Sequence, residues 1–140
     1  MNADEATTVL TPPPVMGLYD APMWGSIHAR KMTLQKCCSC ASFRYPPGPT
    51  CGECLSMQYE WTTIKGGGEI WSWVVFHRSY LPAYPAPYNV IAVKLEEGPM
   101  LISNLDGELP AGSWIGCRVQ LNYVNMPDGA VLPRFRLVKE

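Results

Sequence analysis

Cys37-Cys38-Ser39-Cys40 and Cys51-Gly52-Glu53-Cys54 stand ten residues apart, with Tyr45-Pro46-Pro47-Gly48-Pro49 between them. Each C-x-x-C is a tight knuckle that supplies two thiolates, and the proline-rich connection makes the hairpin that brings the knuckles together. Four soft ligands at this spacing predict a tetrahedral metal site at Cys37, Cys40, Cys51 and Cys54. Zinc is the expected ion, although iron uses the same four thiolates in rubredoxin-type sites. A thioredoxin-like redox pair fits less well, because neither C-x-x-C follows a strand and opens a helix. Four cysteines leave no open coordination position, so the expected role is structural. Cys38, inside the first knuckle, is expected to face outward. Cys117 follows Gly116 at the start of a strand and reads as a small buried hydrophobe. The alternative is a nucleophile with His77 or His28 as its base, but nothing in the sequence places them together.

Downstream of the cysteines, Gly66-Gly67-Gly68 opens a series of strand-like runs. Ile70 to His77 is rich in Trp and Val. Tyr88 to Leu95 and Met100 to Leu105 flank Glu97-Gly98-Pro99, and Val119 to Asn125 and Leu132 to Val138 flank Pro127-Asp128-Gly129; both tripeptides read as hairpin turns. Period-two alternation puts Val119, Leu121 and Tyr123 opposite Gln120 and Asn122, and Phe135 and Leu137 opposite Arg134 and Arg136. In the first run Trp71, Trp73 and Val75 are expected on one face and Ile70, Val74 and Phe76 on the other. That run is apolar on both faces, which suits a barrel strand whose outer face is also covered. Five strands without a long helix predict a small OB-fold barrel. Asp106 to Trp114, with Pro110 and Gly112, is expected to be a loop. The Gly66-Gly67-Gly68 run lacks the Lys-Ser/Thr of a nucleotide-binding loop. Glu96-Glu97 is expected to be a solvated turn pair.

Upstream, Asp20 can cap a short helix to about Lys31, with Pro22 in its first turn and Met23, Trp24, Ile27 and Met32 as its apolar stripe. Thr11-Pro12-Pro13-Pro14 reads as extended and loosely held, either as a tail or as an arm on a partner. The expected organisation is mainly β: an extended arm over 1–19, a short helix over 20–33, a rubredoxin-like zinc ribbon over 34–63 and a five-stranded OB-fold barrel over 64–140.

In 140 residues there is room for one domain or two small modules sharing a core. Only 16% of residues are charged while 47% are hydrophobic, so some apolar surface is expected to lie under a lasting protein partner. The net charge of -1 supplies no overall basic field for nucleic acid or an acidic membrane, and neither is an expected partner. No apolar run is long enough to span a bilayer. Met1 to Leu10 contains Asp4 and Glu5 and does not read as a secretory signal, so a cytoplasmic location is expected.

The ordered segments resemble a known family. Leu34-Gln35-Lys36-Cys37 with Cys40, Tyr45-Pro46-Pro47, and Cys51-x-x-Cys54 are followed by "GGGEIWSWVVFHR" from Gly66 to Arg78, "PYNVIAVKLEEGPMLISNL" from Pro87 to Leu105, and Gly116-Cys117-Arg118-Val119. Together they resemble the zinc-ribbon/OB-fold acyl-CoA-associated proteins, long known only as a domain of unknown function. The likeness runs from about Trp24 to the C-terminus. Family knuckles often carry glycine after the second cysteine. Here Ala41 and Leu55 stand there, which bears on the knuckle geometry and not on ligation.

The resemblance implies a small, non-catalytic subunit of a thiolase-fold complex, inactive alone. Examples are thiolases, hydroxymethylglutaryl-CoA synthase assemblies, thiolase-like aldolases of steroid side-chain breakdown, and 2-benzoylsuccinyl-CoA thiolase with its small subunit. It further implies a thiolase-fold large subunit as partner, in a heterotetramer with two copies of this chain, and coenzyme A or acyl-CoA near the interface. Two alternatives stand beside it: a single-stranded nucleic-acid-binding module and a stand-alone acyl-CoA carrier.

The segment "HRSYLPAYPAPY", His77 to Tyr88, is the expected ligand- or partner-facing loop. Tyr80 and Tyr84 offer stacking and hydroxyls, and Arg78 a charge for a phosphate or carboxylate; the bland reading is a plain proline-rich connection. Trp24 is expected to be a core or interface anchor, as are Trp71, Trp73 and Trp114. His77 and His28 read as ordinary surface or half-buried histidines. Arg134 and Arg136 read as a solvated face, with a phosphate of CoA or an acidic partner patch as the alternative.

Overall fold

A computed structural model describes residues 8–139. Its elements are α1 (Asp20–His28), β1 (Thr33–Cys37), β2 (Phe43–Arg44), β3 (Tyr59–Thr63), β4 (Gly67–Phe76), β5 (Tyr88–Leu95), β6 (Met100–Ser103), β7 (Arg118–Asn125) and β8 (Val131–Leu137). The first three strands form a small antiparallel sheet, β2-β1-β3, that carries the cysteines. The other five form a second antiparallel sheet in the order β6-β5-β4-β7-β8.

That second sheet curls until its two edge strands meet. A parallel bridge joins Leu105, just past β6, to Phe135 on β8. The backbone bonds Asp106 N to Phe135 O (2.8 Å) and Phe135 N to Asn104 O (3.1 Å) make the seam. Antiparallel neighbours closed by one parallel contact between the third and fifth strands make the partly open Greek-key barrel of an OB fold. Asp106 to Trp114 crosses from β6 toward β7 without a helix, as Pro110 and Gly112 predict.

One core serves both sheets and the helix among the described residues. Ile70, Ile91, Val93, Leu95, Leu101, Val119 and Phe135 fill the barrel, and Met23, Ile27, Met32 and Leu34 join them from α1 and β1. Met23 and Ile27 are one helical turn apart, so α1 buries that stripe against the barrel. A nine-residue helix has little stability of its own and holds its shape through this packing. It ends sooner than expected. Arg30 takes a left-handed φ of 60°, and its guanidinium reaches Asn125 Oδ1 at 2.7 Å, a tertiary bond that offsets the strain. Asp20 is not the cap: Tyr19 occupies that position without a side-chain bond, and Asp20 accepts the Gly17 N–H at 3.2 Å instead. Tyr123 ties ribbon to barrel, its hydroxyl accepting the Met32 N–H at 2.8 Å.

Three further expectations are corrected. A bulge between Ile70 and Ser72 shifts β4 against β5. Ile70 is buried and Trp73 stacks on buried Trp114 (5.8 Å between rings), while Trp71 turns outward beneath the Lys94 ammonium. Trp71 and Trp73 therefore do not share a face, because the extra residue inverts the alternation beyond it. Glu97 is not a free turn residue: Oε2 accepts the Lys65 N–H at 2.9 Å, and Oε1 is buried. The third correction concerns the proline-rich arm, whose first seven residues lie outside the described ones. At Thr11 the chain is pinned rather than loose. The Thr11 N–H and hydroxyl donate to the two Asp128 carboxylate oxygens at 2.6 and 3.1 Å.

This pin has a pH signature. The Thr11 N–H above all, then the Ala130 N–H, holds the Asp128 carboxyl below the usual carboxylate range. A depressed acid contributes stability above its unfolded pKa and loses it as pH falls through the lower folded value. The arm is therefore expected to be fully docked at neutral pH and to release below about pH 4. Asp128→Asn should release it at pH 7 as well, read as faster amide exchange at Thr11; unchanged exchange would count against the pin.

Candidate functional site

The two cysteine knuckles are built alike. Cys37 N donates to Ser42 O (2.8 Å) and Ala41 N to Cys37 O (3.0 Å); in the second, Cys51 N donates to Ser56 O (2.9 Å) and Leu55 N to Cys51 O (3.0 Å). The Ser39 and Glu53 N–H groups each lie 3.4 Å from the sulfur of the first cysteine in their knuckle. Ala41 and Leu55 both take φ of 64°, so the left-handed turn survives without glycine, at a cost of about 1–2 kcal/mol each.

All four sulfurs lie within 4.8 Å of one another. Cys37 and Cys54 are 3.6 Å apart and Cys40 and Cys51 3.5 Å. Metal–sulfur bonds of about 2.3 Å in a tetrahedron put sulfurs about 3.8 Å apart, so the donor set fits one four-coordinate ion. The electrostatics agree. The Cys40 N–H, with help from Ser39, brings the Cys37 thiol down to about 6. Ser42, through its hydroxyl and then its N–H, lowers Cys40. The Ser56 N–H also favours a Cys54 thiolate, but hydrogen bonds to the Cys37 and Cys40 sulfurs outweigh it and push Cys54 up to about 12. Clustered thiolates resist a further negative charge, and a dication between them removes that resistance.

A buried frame holds the connection between the knuckles. The Gln35 amide donates to Gly48 O (3.0 Å) and accepts the Gly48 N–H (2.8 Å). Arg44 donates to Gly48 O and Ser56 O, each at 3.2 Å, with its guanidinium over the Tyr59 ring. Both side chains are buried. Sequence reasoning missed them, since nothing in strand alternation marks a Gln or Arg as internal.

The residues expected to face a ligand or partner fall into two places. At the outer end of β4, Phe76 stacks on Tyr88 (4.9 Å) and meets Tyr80 edge-on (6.2 Å). Arg78 covers Tyr80, and exposed His77 lies beside them. The chain then turns back through a Leu81–Tyr84 bridge. Tyr84 and Trp24 line a cavity of about 180 Å³ with Met23, Ile27 and Phe135. Trp24 is thus a half-buried prop of α1. Cys117 packs on the core edge, its sulfur 3.9 Å from Ser113 O; His28 and His77 are exposed elsewhere and are not among its partners. Cys38 faces outward as expected.

Beyond Ile70, which still exchanges backbone bonds with Gly116 and Cys117, β4 keeps only β5 as its neighbour strand among the described residues. Val74 is 50% exposed and Phe76 36%, with Val75 and, in the β4–β5 connection, Leu81 also open. Several large apolar side chains on one projecting ribbon are more than the scattered exposure of an ordinary surface.

The comparisons with known proteins agree with this architecture. The model of the ChsH2 C-terminal OB-fold domain matches residues 61–124. The chain is 32% identical over 135 residues to a probable enoyl-CoA hydratase alpha subunit of Thermomonospora curvata, covering 96% of this chain and 42% of the relative. It is 30% identical over 105 residues to a 3-oxo-4,17-pregnadiene-20-carboxyl-CoA hydratase alpha subunit of Mycobacterium tuberculosis, covering 75% and 33%. The chain thus spans less than half the length of these curated relatives. Among solved structures it is similar to a chain of the Ltp2-ChsH2(DUF35) aldolase, with TM-score 0.81 and 33% identity over 89% of this chain and 98% of that one. A DUF35 protein of unknown function from Sulfolobus solfataricus shares the fold, with TM-score 0.60 and 14% identity over 88% and 87%. By its barrel and by these likenesses, the chain belongs to the DUF35 family, the family of the ChsH2 OB-fold domain.

Proposed function

We propose that this chain is the accessory subunit of a heteromeric acyl-CoA enzyme, docking on a thiolase-fold large subunit through the projecting β4–β5 ribbon. The observation that carries this reading is the outer half of β4, where Val74 and Phe76 on one face and Val75 on the other all stay open, on a strand whose β7-side edge is unpaired among the described residues. Such a strip is stable in water when a partner covers it. The similar aldolase chain bears the name of a two-protein assembly, Ltp2 with ChsH2, and supplies the pattern. The nucleophile and the acid/base groups belong to the large subunit in this reading, and this chain alone is inactive. Two copies would complete a heterotetramer, with acyl-CoA at the interface. Cys37, Cys40, Cys51 and Cys54 would hold zinc, which serves there as a cross-link between the two knuckles.

The test is capture of the large subunit on the tagged chain, from its own cells or by co-expression. A thiolase-like protein in fixed ratio is expected. Val74→Glu should weaken that capture at least tenfold, since it places a charge in an apolar interface core. Its melting temperature should hardly move, because the position is already half open to water. Elution of the chain alone, or capture indifferent to Val74→Glu, would remove the basis for this reading.

A further inference from the structure

At the seam of the barrel two arginines flank one carboxylate without reaching it. Arg134 Nη1 lies 3.9 Å from Asp106 Oδ1, and Arg136 Nη2 lies 3.8 Å from Asp106 Oδ2. Both distances are ion-pair contacts, too long for hydrogen bonds. Alternation along β8 predicts a solvated pair, and Arg136 fits. Arg134 does not: its side chain is only 18% exposed. Among the described residues its Nε is buried without a partner, and Nη2 has only the Met126 sulfur, at 3.9 Å. A guanidinium carries five N–H donors. Keeping them from water without good acceptors is unfavourable, so the site is built for an acceptor that the described residues do not supply.

Beside Arg134 lies a cavity of about 330 Å³, between the β4–β5 connection, the end of β6 and the β7–β8 turn. Tyr84, Tyr88, Asn104, Asp106 and Met126 line it with Arg134. The two tyrosine rings are 6.3 Å apart and tilted by 37°, a surface suited to a flat ring. Asp106 opposes an anion, but two arginines around one carboxylate leave one positive charge over. OB barrels commonly take ligands between these same two connections.

We propose that this cavity binds a small molecule combining an oxyanion, carboxylate or phosphate, with a planar ring. The oxyanion meets the Arg134 guanidinium, and the ring lies against Tyr84 and Tyr88. The site touches the docking ribbon at Tyr88, on which Phe76 stacks, but it does not rest on which protein the partner is.

The test is calorimetric titration of the full, metal-loaded chain with phenyl phosphate, benzoate and inorganic phosphate. Phenyl phosphate or benzoate should bind at least threefold more tightly than inorganic phosphate, and the stronger of the two identifies the natural oxyanion. Arg134→Gln should weaken it at least tenfold, and Arg134→Lys less, since Lys keeps the charge and loses the fork. Tyr84→Leu should bring phenyl phosphate down to the level of inorganic phosphate and leave the latter unchanged; this variant carries the test if Arg134→Gln fails to fold. No uptake of any probe, or equal uptake by Arg134→Gln, overturns the proposal. So does loss of large-subunit capture in Arg134→Gln with no probe bound by the parent chain, which would put a partner carboxylate in the cavity.

Discussion

Cys51→Ser, or removal of the metal with a chelator, is expected to unfold the ribbon and leave the barrel strands standing. Apart from the Gln35 and Arg44 bonds to Gly48 and Ser56, the ribbon has little else to hold it. β2 is two residues long, and Met32 and Leu34 are the buried apolar side chains that β1 and its approach add to the core. Four-cysteine sites contribute on the order of 10 kcal/mol in small domains of this kind, far more than so small a sheet gains from its own burial. Cys51 is itself buried, so a serine there loses a ligand and strands a hydroxyl. The barrel keeps its seam and most of the core. Far-UV circular dichroism should therefore change little, while Trp61 fluorescence shifts as the Tyr59–Trp61 edge contact is lost. One metal equivalent per chain should be released; a colourless protein identifies zinc and a coloured one iron. A Cys51→Ser chain that melts like the parent, with a chelator making no difference, would refute a structural metal centre.

The second large effect is expected at Gly66. Its φ is +80°, and an added Cβ would lie 2.4 Å from Leu121 Cβ, on the strand to which Gly66 O is hydrogen-bonded. The left-handed backbone costs about 1–2 kcal/mol for a residue with a Cβ, and overpacking adds about 1–3 kcal/mol. Gly66→Ala should thus destabilise the chain by about 2–5 kcal/mol in urea unfolding. Gly68→Ala should cost less, about 1–3 kcal/mol: it has no positive φ, but its Cβ would press on Lys94 O and Val93 Cγ1, both at 2.7 Å. Gly112→Ala meets nothing within 4 Å and is the control. If Gly66→Ala unfolds within 0.5 kcal/mol of the control, the close approach of β7 at this point is wrong.

The glycines show how far one dimension reaches. The run Gly66-Gly67-Gly68 is visible as a boundary, but its reason is the backbone of β5 against Gly68, 26 residues away in the chain, and the side chain of Leu121 against Gly66, 55 residues away. The cysteine cluster is the opposite case. Its ligands are paired by a covalent spacing of three residues, and the two knuckles repeat the same bonds, so the residue pattern nearly is the structure. The five barrel strands were legible for a similar reason, since alternation and turn chemistry are local. The bulge at Trp71 was not, because one extra residue is invisible until a partner strand sets the register.

Spacing and composition were enough for the four clustered cysteines, the five runs of the barrel, its two hairpin turns and an apolar surplus. Tertiary structure alone decided which apolar residues form that surplus, that Arg44 and Gln35 are internal, that Thr11 is pinned to Asp128, and that Arg134 faces a cavity with its donors unmet. The division has one physical cause. Spacing along a chain dictates what neighbours in sequence can do together. Burial, and with it the cost of an unpaired polar group, depends on segments that meet only after the sheet has closed.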